Sequence, residues 1–373
     1  MKKTLALSSL MLSSALVADC PIDNSCQDLT CCCYNSRNTN WEQDECTCWG
    51  TFGIGANWLS LTPRVTEREY ARVISDAGSD RTVAFVDANR KCVGTNRSSG
   101  YEVYLYYQSP LIDCCYAWDA RVSFTELDST KNSSTTVEDP LFLTQLIGFI
   151  PDNNNNQFLH ASIKMQNDYD AVSAEFGWNL FSECCFNVRL LTGLHYAKVS
   201  QKIDSHYNDA AEGQEEDSRV VLHERARFRG IGPRFGMNTY WDLFCGFGFF
   251  ADFSTNLLIA EKKGSFFQQN FDPGGMLMGL DTQWKEDFCT TTEVVPNLDI
   301  RIGLSYRFSW CLNFLIEGGY RATHYYNGLQ SLKIAGNDLG QTLSGERLVN
   351  STTWTTNESF GLEGWFLGGA ISF

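Results

Sequence analysis

The chain closes on Trp365-Phe366-Leu367-Gly368-Gly369-Ala370-Ile371-Ser372-Phe373. In steps of two, Phe373, Ile371, Gly369, Leu367 and Trp365 form one face, and Ser372, Ala370, Gly368, Phe366 and Gly364 form the other. A period of two is the signature of a strand. An apolar strand at the edge of an open sheet invites aggregation, because its backbone groups are unpaired. A closed transmembrane barrel removes that hazard, since its last strand has a partner on each side. A terminal Phe after alternating apolar residues also resembles the signal read by bacterial barrel-assembly machinery, which makes Phe373 the candidate assembly signal. An ordinary buried strand explains the same nine residues, so the rest of the chain decides.

Working back from the terminus, the same alternation recurs. A first strand spans Thr51–Leu61. Hairpins follow at Tyr101–Gln108 with Tyr116–Glu126, and at His160–Leu180 with Phe186–Ser200. Two more lie at Arg227–Met237 with Leu243–Ile259, and at Asn297–Phe308 with Leu312–Tyr325. The last strand is Ser359–Phe373. The connections within hairpins are short, the third being read at Asn238-Thr239-Tyr240-Trp241-Asp242. The connections between them are long and polar: Arg64–Ser99, Asp128–Gln157, Gln201–Ala226, Glu261–Pro296 and Asn327–Glu358. The pattern predicts an all-β fold, a transmembrane antiparallel β-barrel of about ten strands with short periplasmic turns and long extracellular loops. A soluble antiparallel sandwich with one wet face explains the alternation, but not the asymmetry of the connections.

Met1-Lys2-Lys3 followed by the short apolar stretch Thr4–Ala18 reads as a secretory signal, with cleavage sites after Ala15 or Ala18. A lipoprotein signal needs a small residue before Cys20, where Asp19 stands. No later apolar run is long enough to span a bilayer as a helix, and Leu141–Ile150 has about half the required length. The expected organisation is a signal peptide at 1–18, a cysteine-rich periplasmic tail at 19–49 and a barrel at 50–373. A net charge of −15 argues against a nucleic-acid partner, which needs a basic footprint.

Behind a signal peptide, the 15 cysteines read as disulfide formers. Cys20, Cys26, Cys31, Cys32, Cys33, Cys46 and Cys48 crowd the tail. Cys114, Cys115, Cys184, Cys185, Cys245 and Cys311 sit at or beside the short turns, so tail and turns would share one rim. Two other readings stand beside a disulfide layer. The tail could hold zinc, though no His lies nearby, and the turn cysteines could simply pack as small residues.

A barrel also fixes where charge must sit. One face of each strand is continuously apolar, as in Leu298, Ile300, Ile302, Leu304, Tyr306 and Phe308. The other carries the candidate pore-lining residues Asp119, Arg121, Glu175, Arg189, His195, Arg234, Asp252, Asp299, Arg301, Arg307, Glu317 and Arg321. An Arg on the lipid face would cost about 2–4 kcal/mol at mid-membrane, so these side chains are assigned inward. Glycines on the same face, such as Gly177, Gly193 and Gly303, leave room for long side chains. These charges suit either a water-filled passage or a lumen closed by ion pairs, and ten strands give a small diameter.

Gly246-Phe247-Gly248-Phe249-Phe250-Ala251 matches a dinucleotide fingerprint only formally, because the alternation around it predicts a strand and no helix. The five histidines are scattered, and His195 reads as a polar lumen residue. No cofactor, metal site or catalytic constellation is expected, and the chain does not read as an enzyme.

Several segments carry a family resemblance: Asp168–Val172, Glu175–Trp178, Leu190–Ala197, Phe228–Gly236 and Ile302–Phe308, of which Gly230-Ile231-Gly232-Pro233-Arg234 is the most specific. Together the chain from Trp49 to Phe373 resembles the Legionella-type major outer membrane protein family of pore-forming barrels, in a cysteine-rich form like those of chlamydia-related bacteria. The resemblance implies the bacterial outer membrane and porin-like passive diffusion of small hydrophilic solutes. The alternative is a structural or adhesive barrel with a closed lumen. Expected partners are outer-membrane lipid, the barrel-assembly machinery and, through disulfides, a second copy or other cysteine-rich envelope proteins.

Overall fold

The computed structural model describes residues 50–65, 69–75, 89–94, 96–109, 111–112, 115–116, 118–138, 141–145, 158–183, 185–208, 219–244, 246–271, 282–309, 312–341 and 347–373. The expected signal peptide, the cysteine-rich tail, and Cys114, Cys184, Cys245 and Cys311 lie outside the described residues. In chain order the strands are β1 (Thr51–Val65), β2 (Glu69–Ser75), β3 (Asn89–Cys92), β4 (Ser98–Gln108), β5 (Leu111–Ile112), β6 (Cys115–Tyr116), β7 (Trp118–Thr136) and β8 (Leu141–Gln145). They continue with β9 (His160–Glu183), β10 (Phe186–Asn208), β11 (Arg219–Phe244), β12 (Phe247–Phe271), β13 (Thr282–Asp287), β14 (Thr291–Ser309), β15 (Asn313–Gln341) and β16 (Arg347–Ser372).

Ten of these form one antiparallel ring in the order β11-β10-β9-β7-β4-β1-β16-β15-β14-β12, closed by pairing of β11 with β12. Closure leaves the ring without an open edge, the condition for placing backbone in lipid. The last strand has the partners on both sides that its sequence demanded: β16 pairs with β1 and with β15. Phe373 itself is tied to Phe52, with N–H···O distances of 3.0 and 2.9 Å in the two directions.

Alternation sets the faces. Ile231, Ile259, Leu304 and Leu367 point outward and are 54–63 % exposed. Such a continuous apolar exterior is tolerable only against lipid or a partner. At the short-turn end this band is edged by rings that touch from strand to strand, among them Phe52–Tyr107, Tyr107–Trp118, Trp118–Phe176 and Phe247–Tyr306. That is the aromatic girdle expected at a membrane interface.

Three boundaries differ from the sequence reading. The turn read at 238–242 is strand: β11 runs to Phe244, and the chain reverses beside Gly246, whose φ of 82° is the left-handed conformation glycine accepts. The alternation in fact continues through that stretch, because Trp241 stays outward in the girdle. Barrel strand β7 begins at Trp118, and Tyr116 belongs to the small β5–β6 hairpin. The long loops are also partly strand. β10 continues to Asn208, β12 to Phe271 and β15 to Gln341. Beyond the membrane the outward face is polar, so these extensions lack the lipid-facing apolar side by which the barrel strands are read, although Ile203, Tyr207 and Val220 still alternate inward.

The connection read as one loop between β1 and β4 contains β2 and β3, which form a separate three-stranded sheet in the order β3-β2-β8. This sheet packs against the inward faces of the barrel's outer half. Tyr70, Val93, Leu143 and Phe158 form one buried cluster with Ile163, Ile203, Tyr207 and Val220. The Tyr207 hydroxyl donates to the Tyr70 carbonyl oxygen at 2.7 Å. The long-loop end of the lumen is therefore capped by the chain's own loops.

Candidate functional site

The lumen is organised in layers. Towards the short-turn end lies a belt of charge. Arg321 is its hub: Nη1 donates to Glu102 Oε2 at 2.9 Å, and Nε and Nη2 donate to the two Asp299 oxygens at 3.1 Å each. Thr323 adds a hydroxyl to Asp299 at 2.7 Å. Arg121 reaches the other Glu102 oxygen at 3.2 Å. Arg234 lies 2.8 Å from Glu175 and 3.4 Å from Asp299. Arg301 holds Glu317 at 2.7 Å, and its guanidinium lies 4.5 Å from the centre of the Phe366 ring. Arg189 grips Asp119 through both Nε and Nη2. Several of these bonds join strands that are not ring neighbours. Arg321 on β15 and Glu102 on β4 have β16 and β1 between them.

The sequence supplies this belt through period two. Inward residues recur at every second position, and an Arg needs empty space beside it. A Cβ at Gly177 would collide with the Arg189 guanidinium, so glycine there makes the Asp119–Arg189 pair possible.

All twelve candidate lumen residues fall on the inward face, though not in one environment. Asp119, Arg121, Glu175, Arg189, Arg234, Asp299, Arg301, Glu317 and Arg321 form the belt. Asp252 lines the space left between them, a cavity of about 30 Å³. That is room for a water molecule or two. Arg307 lies apart, exposed at the short-turn mouth with its guanidinium 3.8 Å from the centre of the Tyr240 ring. His195 sits above the belt, in the next layer.

That layer is apolar. Leu59, Leu127, Val199, Phe228, Leu258, Val295, Tyr325 and Phe360 are all buried in one cluster across the barrel. Its centre is a bridge: the hydroxyls of Tyr169 and Tyr325 are 2.9 Å apart. Tyr169 stands on β9 and Tyr325 on β15, five steps round a ten-strand ring and so on opposite walls. His195 Nε2 is 3.0 Å from the Tyr325 hydroxyl, and its Nδ1 is 2.8 Å from Ser173 Oγ. Phe228 packs on Tyr325 with ring centres 5.4 Å apart, and Tyr169 stacks on Phe360 at 6.3 Å. Burying Phe228 and Phe360 contributes about 1.5–3 kcal/mol each relative to exposure.

Sequence reasoning missed Glu102, Tyr169 and Tyr325. Glu102 was readable, since it alternates with the outward Tyr101, Val103 and Leu105. The tyrosines share the inward register, but a lumen expected to be polar gives no reason to seek an aromatic layer there.

Of the candidate disulfide formers, Cys115 lies in the β5–β6 hairpin and Cys185 at the β9–β10 turn, both at the short-turn end. Cys92 and Cys289 are exposed on the long-loop side, away from that rim. Among the described residues, no cluster of His, Cys, Asp or Glu has the arrangement of a metal site.

Comparison with known proteins agrees with this architecture. Residues 47–373 match the family model described as Legionella pneumophila major outer membrane protein precursor. No curated protein matches the chain significantly. Among solved structures, the outer membrane protease OmpT of Escherichia coli is similar at 10 % identity, over 87 % of this chain and 96 % of that one, with a TM-score of 0.40. Ail, the attachment invasion locus protein of Yersinia pestis, is similar at 11 % identity over 87 % and 99 % of the two chains, with a TM-score of 0.23. A Pseudomonas aeruginosa FadL homologue gives 8 %, 87 %, 90 % and 0.22. At these scores the three likenesses carry no argument.

Proposed function

The chain belongs to the family of the Legionella pneumophila major outer membrane protein and resides in the bacterial outer membrane; from that premise we propose that it is a narrow channel for small hydrophilic solutes, held shut at rest by its aromatic layer. The observation that carries this reading is the bridge between Tyr169 and Tyr325 from opposite walls, directly above a belt of ion-paired Arg, Asp and Glu. A passage for polar solutes needs a charged lining, which the belt supplies. In this reading the bridge and the rings packed on it are the gate, and the cross-lumen ion pairs of the belt rearrange with them when solute passes. Asn57 Oδ1, Asn256 Oδ1 and Arg301 Nε are buried at belt level without a hydrogen-bond partner. Unmet groups of this kind in a polar cavity are where water binds. Transport would be passive, and no catalytic step is involved.

Planar-bilayer recording of the purified chain tests the reading. Wild-type protein should be mostly silent with rare, brief openings, and Tyr325→Ala should open far more often. Steady wild-type conductance would mean that the aromatic layer is no gate. Silence in both proteins would favour a second reading, a permanently closed structural barrel. The capping cluster around Tyr70 and Phe158 supports that one.

A further inference from the structure

Six cations project outward from three adjacent strands just beyond the lipid-facing band. Lys198 and Lys202 stand on β10, Arg225, Arg227 and Arg229 on β11, and Lys263 on β12. The register places Lys202 directly across from Arg225, Lys198 across from Arg229, and Arg227 across from Lys263. The same outward faces become apolar abruptly. Ile231, two residues from Arg229, is 54 % exposed, and Ile259, two residues from Glu261, is 63 % exposed. Two residues of strand span about 7 Å, so Arg229 and Arg227 sit at the depth of lipid headgroups.

Carboxylates among the described residues neutralise only part of this sector. Glu261 pairs with Arg229 and with Lys263, each at 2.6 Å, and Asp170 pairs with Lys198 at 2.6 Å. The next outward carboxylate on β10, Asp204, is occupied by His223 at 2.6 Å. Lys202, Arg225 and Arg227 meet no carboxylate among the described residues. Like charges directly across a strand pair destabilise it, and carboxylates are not scarce in a chain of net charge −15. Strands β7 and β9 present Glu126, Asp128, Asp168 and Asp170 on the neighbouring outward rim. Among the described residues the basic sector is therefore a local excess of positive charge.

We propose that this sector binds the phosphate groups of outer-leaflet lipid headgroups. Guanidinium groups match phosphate oxygens in bidentate geometry, and Lys adds a mobile point charge. The source is the membrane because the cations begin where the lipid-facing residues end. An acyl chain lying along Ile231 and Ile259 brings its headgroup phosphate against Arg229 and Arg227.

The test uses the full chain in neutral detergent, titrated with bisphosphorylated lipid A or its dephosphorylated form and read by native mass spectrometry. Wild type should retain the phosphorylated lipid and release the dephosphorylated one. Each cation near an anionic surface is worth about fivefold in binding, so Lys202→Gln/Arg225→Gln/Arg227→Gln should weaken binding on the order of 100-fold. Lys285→Gln on β13 should change it little. Folding of each variant is checked by heat-modifiable gel migration, and if the triple variant does not fold, Arg227→Gln alone should cost about fivefold. Equal retention by wild type and variants overturns the proposal, as does equal binding of the two lipid forms. Displacement of the lipid by millimolar inorganic phosphate would identify a free-phosphate site and overturn the assignment to lipid.

Discussion

Two halves of one lumen use the same backbone for opposite chemistry. Near the short turns the inward positions hold Arg321, Asp299, Glu102, Arg234 and Glu175 in a connected ion network. A few residues along the same strands they hold Tyr325, Tyr169, Phe228 and Val295 in a dry cluster. The outward face changes as well: it is apolar beside the belt and turns charged beside the cluster, where Asp168, Asp170, Lys198, Arg227 and Arg229 flank Tyr169, Val199 and Phe228. The difference teaches that the outside of such a barrel is set by lipid, whereas the inside is free to vary with height. The charged layer is held by partners that must all be present, and the apolar layer by shape. The two should therefore fail differently when a single side chain is removed.

The sharpest contrast comes from Arg321. Removing one partner of a buried ion pair leaves uncompensated charge, at a cost of about 3–5 kcal/mol. Arg321→Ala would strand Glu102 and Asp299 together, with Arg121, Arg234 and the nearby Arg301 left to answer them. Unfolding of the reconstituted barrel in urea should shift to markedly lower denaturant. A midpoint equal to wild type would show that the belt is hydrated and screened, and would erase the distinction between the two layers.

The layers were unequally readable in the sequence for a physical reason. Strands at membrane depth announce themselves because lipid forbids charge on every second residue, and Asn297–Phe308 follows that rule throughout. The belt is the complement: what cannot face lipid faces inward, and Arg321, Arg234 and Asp299 stand on that face. The aromatic layer obeys no such exclusion. Tyr325 and Tyr169 are as acceptable at an interface as in a core, and contact between β9 and β15 depends on ring closure. The extensions beyond the membrane were read as loops because water on the outward face removes the apolar side that lipid imposes, while their inward face is buried only by strands distant in sequence. Within them, β2, β3 and β8 fold back into the lumen, which no local pattern encodes.

Within the aromatic layer a smaller effect is expected. Tyr325→Phe keeps the ring against Phe228 but removes the hydroxyl shared by Tyr169 and His195. Leaving buried polar groups without a partner costs about 1–3 kcal/mol, below the cost expected for Arg321→Ala. Packing survives, so openings in planar bilayers should rise only modestly and stay well below those of Tyr325→Ala. If Tyr325→Phe conducts as freely as Tyr325→Ala, the hydrogen bond alone is the latch and the packing contributes nothing to closure.

The smallest effect lies outside, where the same rule of partnered charge is relaxed by water. Asp128 and Asp168 stand directly across from one another on β7 and β9, and Glu126 stands across from Asp170. Burial first, then the charges of Asp168, Glu126 and Asp170, hold the Asp128 carboxyl above its ordinary range. A carboxyl whose folded pKa exceeds the unfolded value binds its proton more tightly when folded. Stability therefore rises as pH falls through the folded pKa, and the gain is complete once pH is below the unfolded value near 4. At neutral pH the ionised group is a cost, so Asp128→Asn should stabilise the barrel by about 0.2–0.5 kcal/mol. Solvent screening keeps the effect small, since the group is largely exposed. The advantage should shrink at high salt, where exposed charges are screened, and vanish in unfolding curves taken below about pH 4, where wild-type Asp128 is protonated too. An advantage of Asp128→Asn that persisted unchanged at acid pH would assign it to packing instead of charge. The outer rim would then follow the logic of the aromatic layer and not that of the belt.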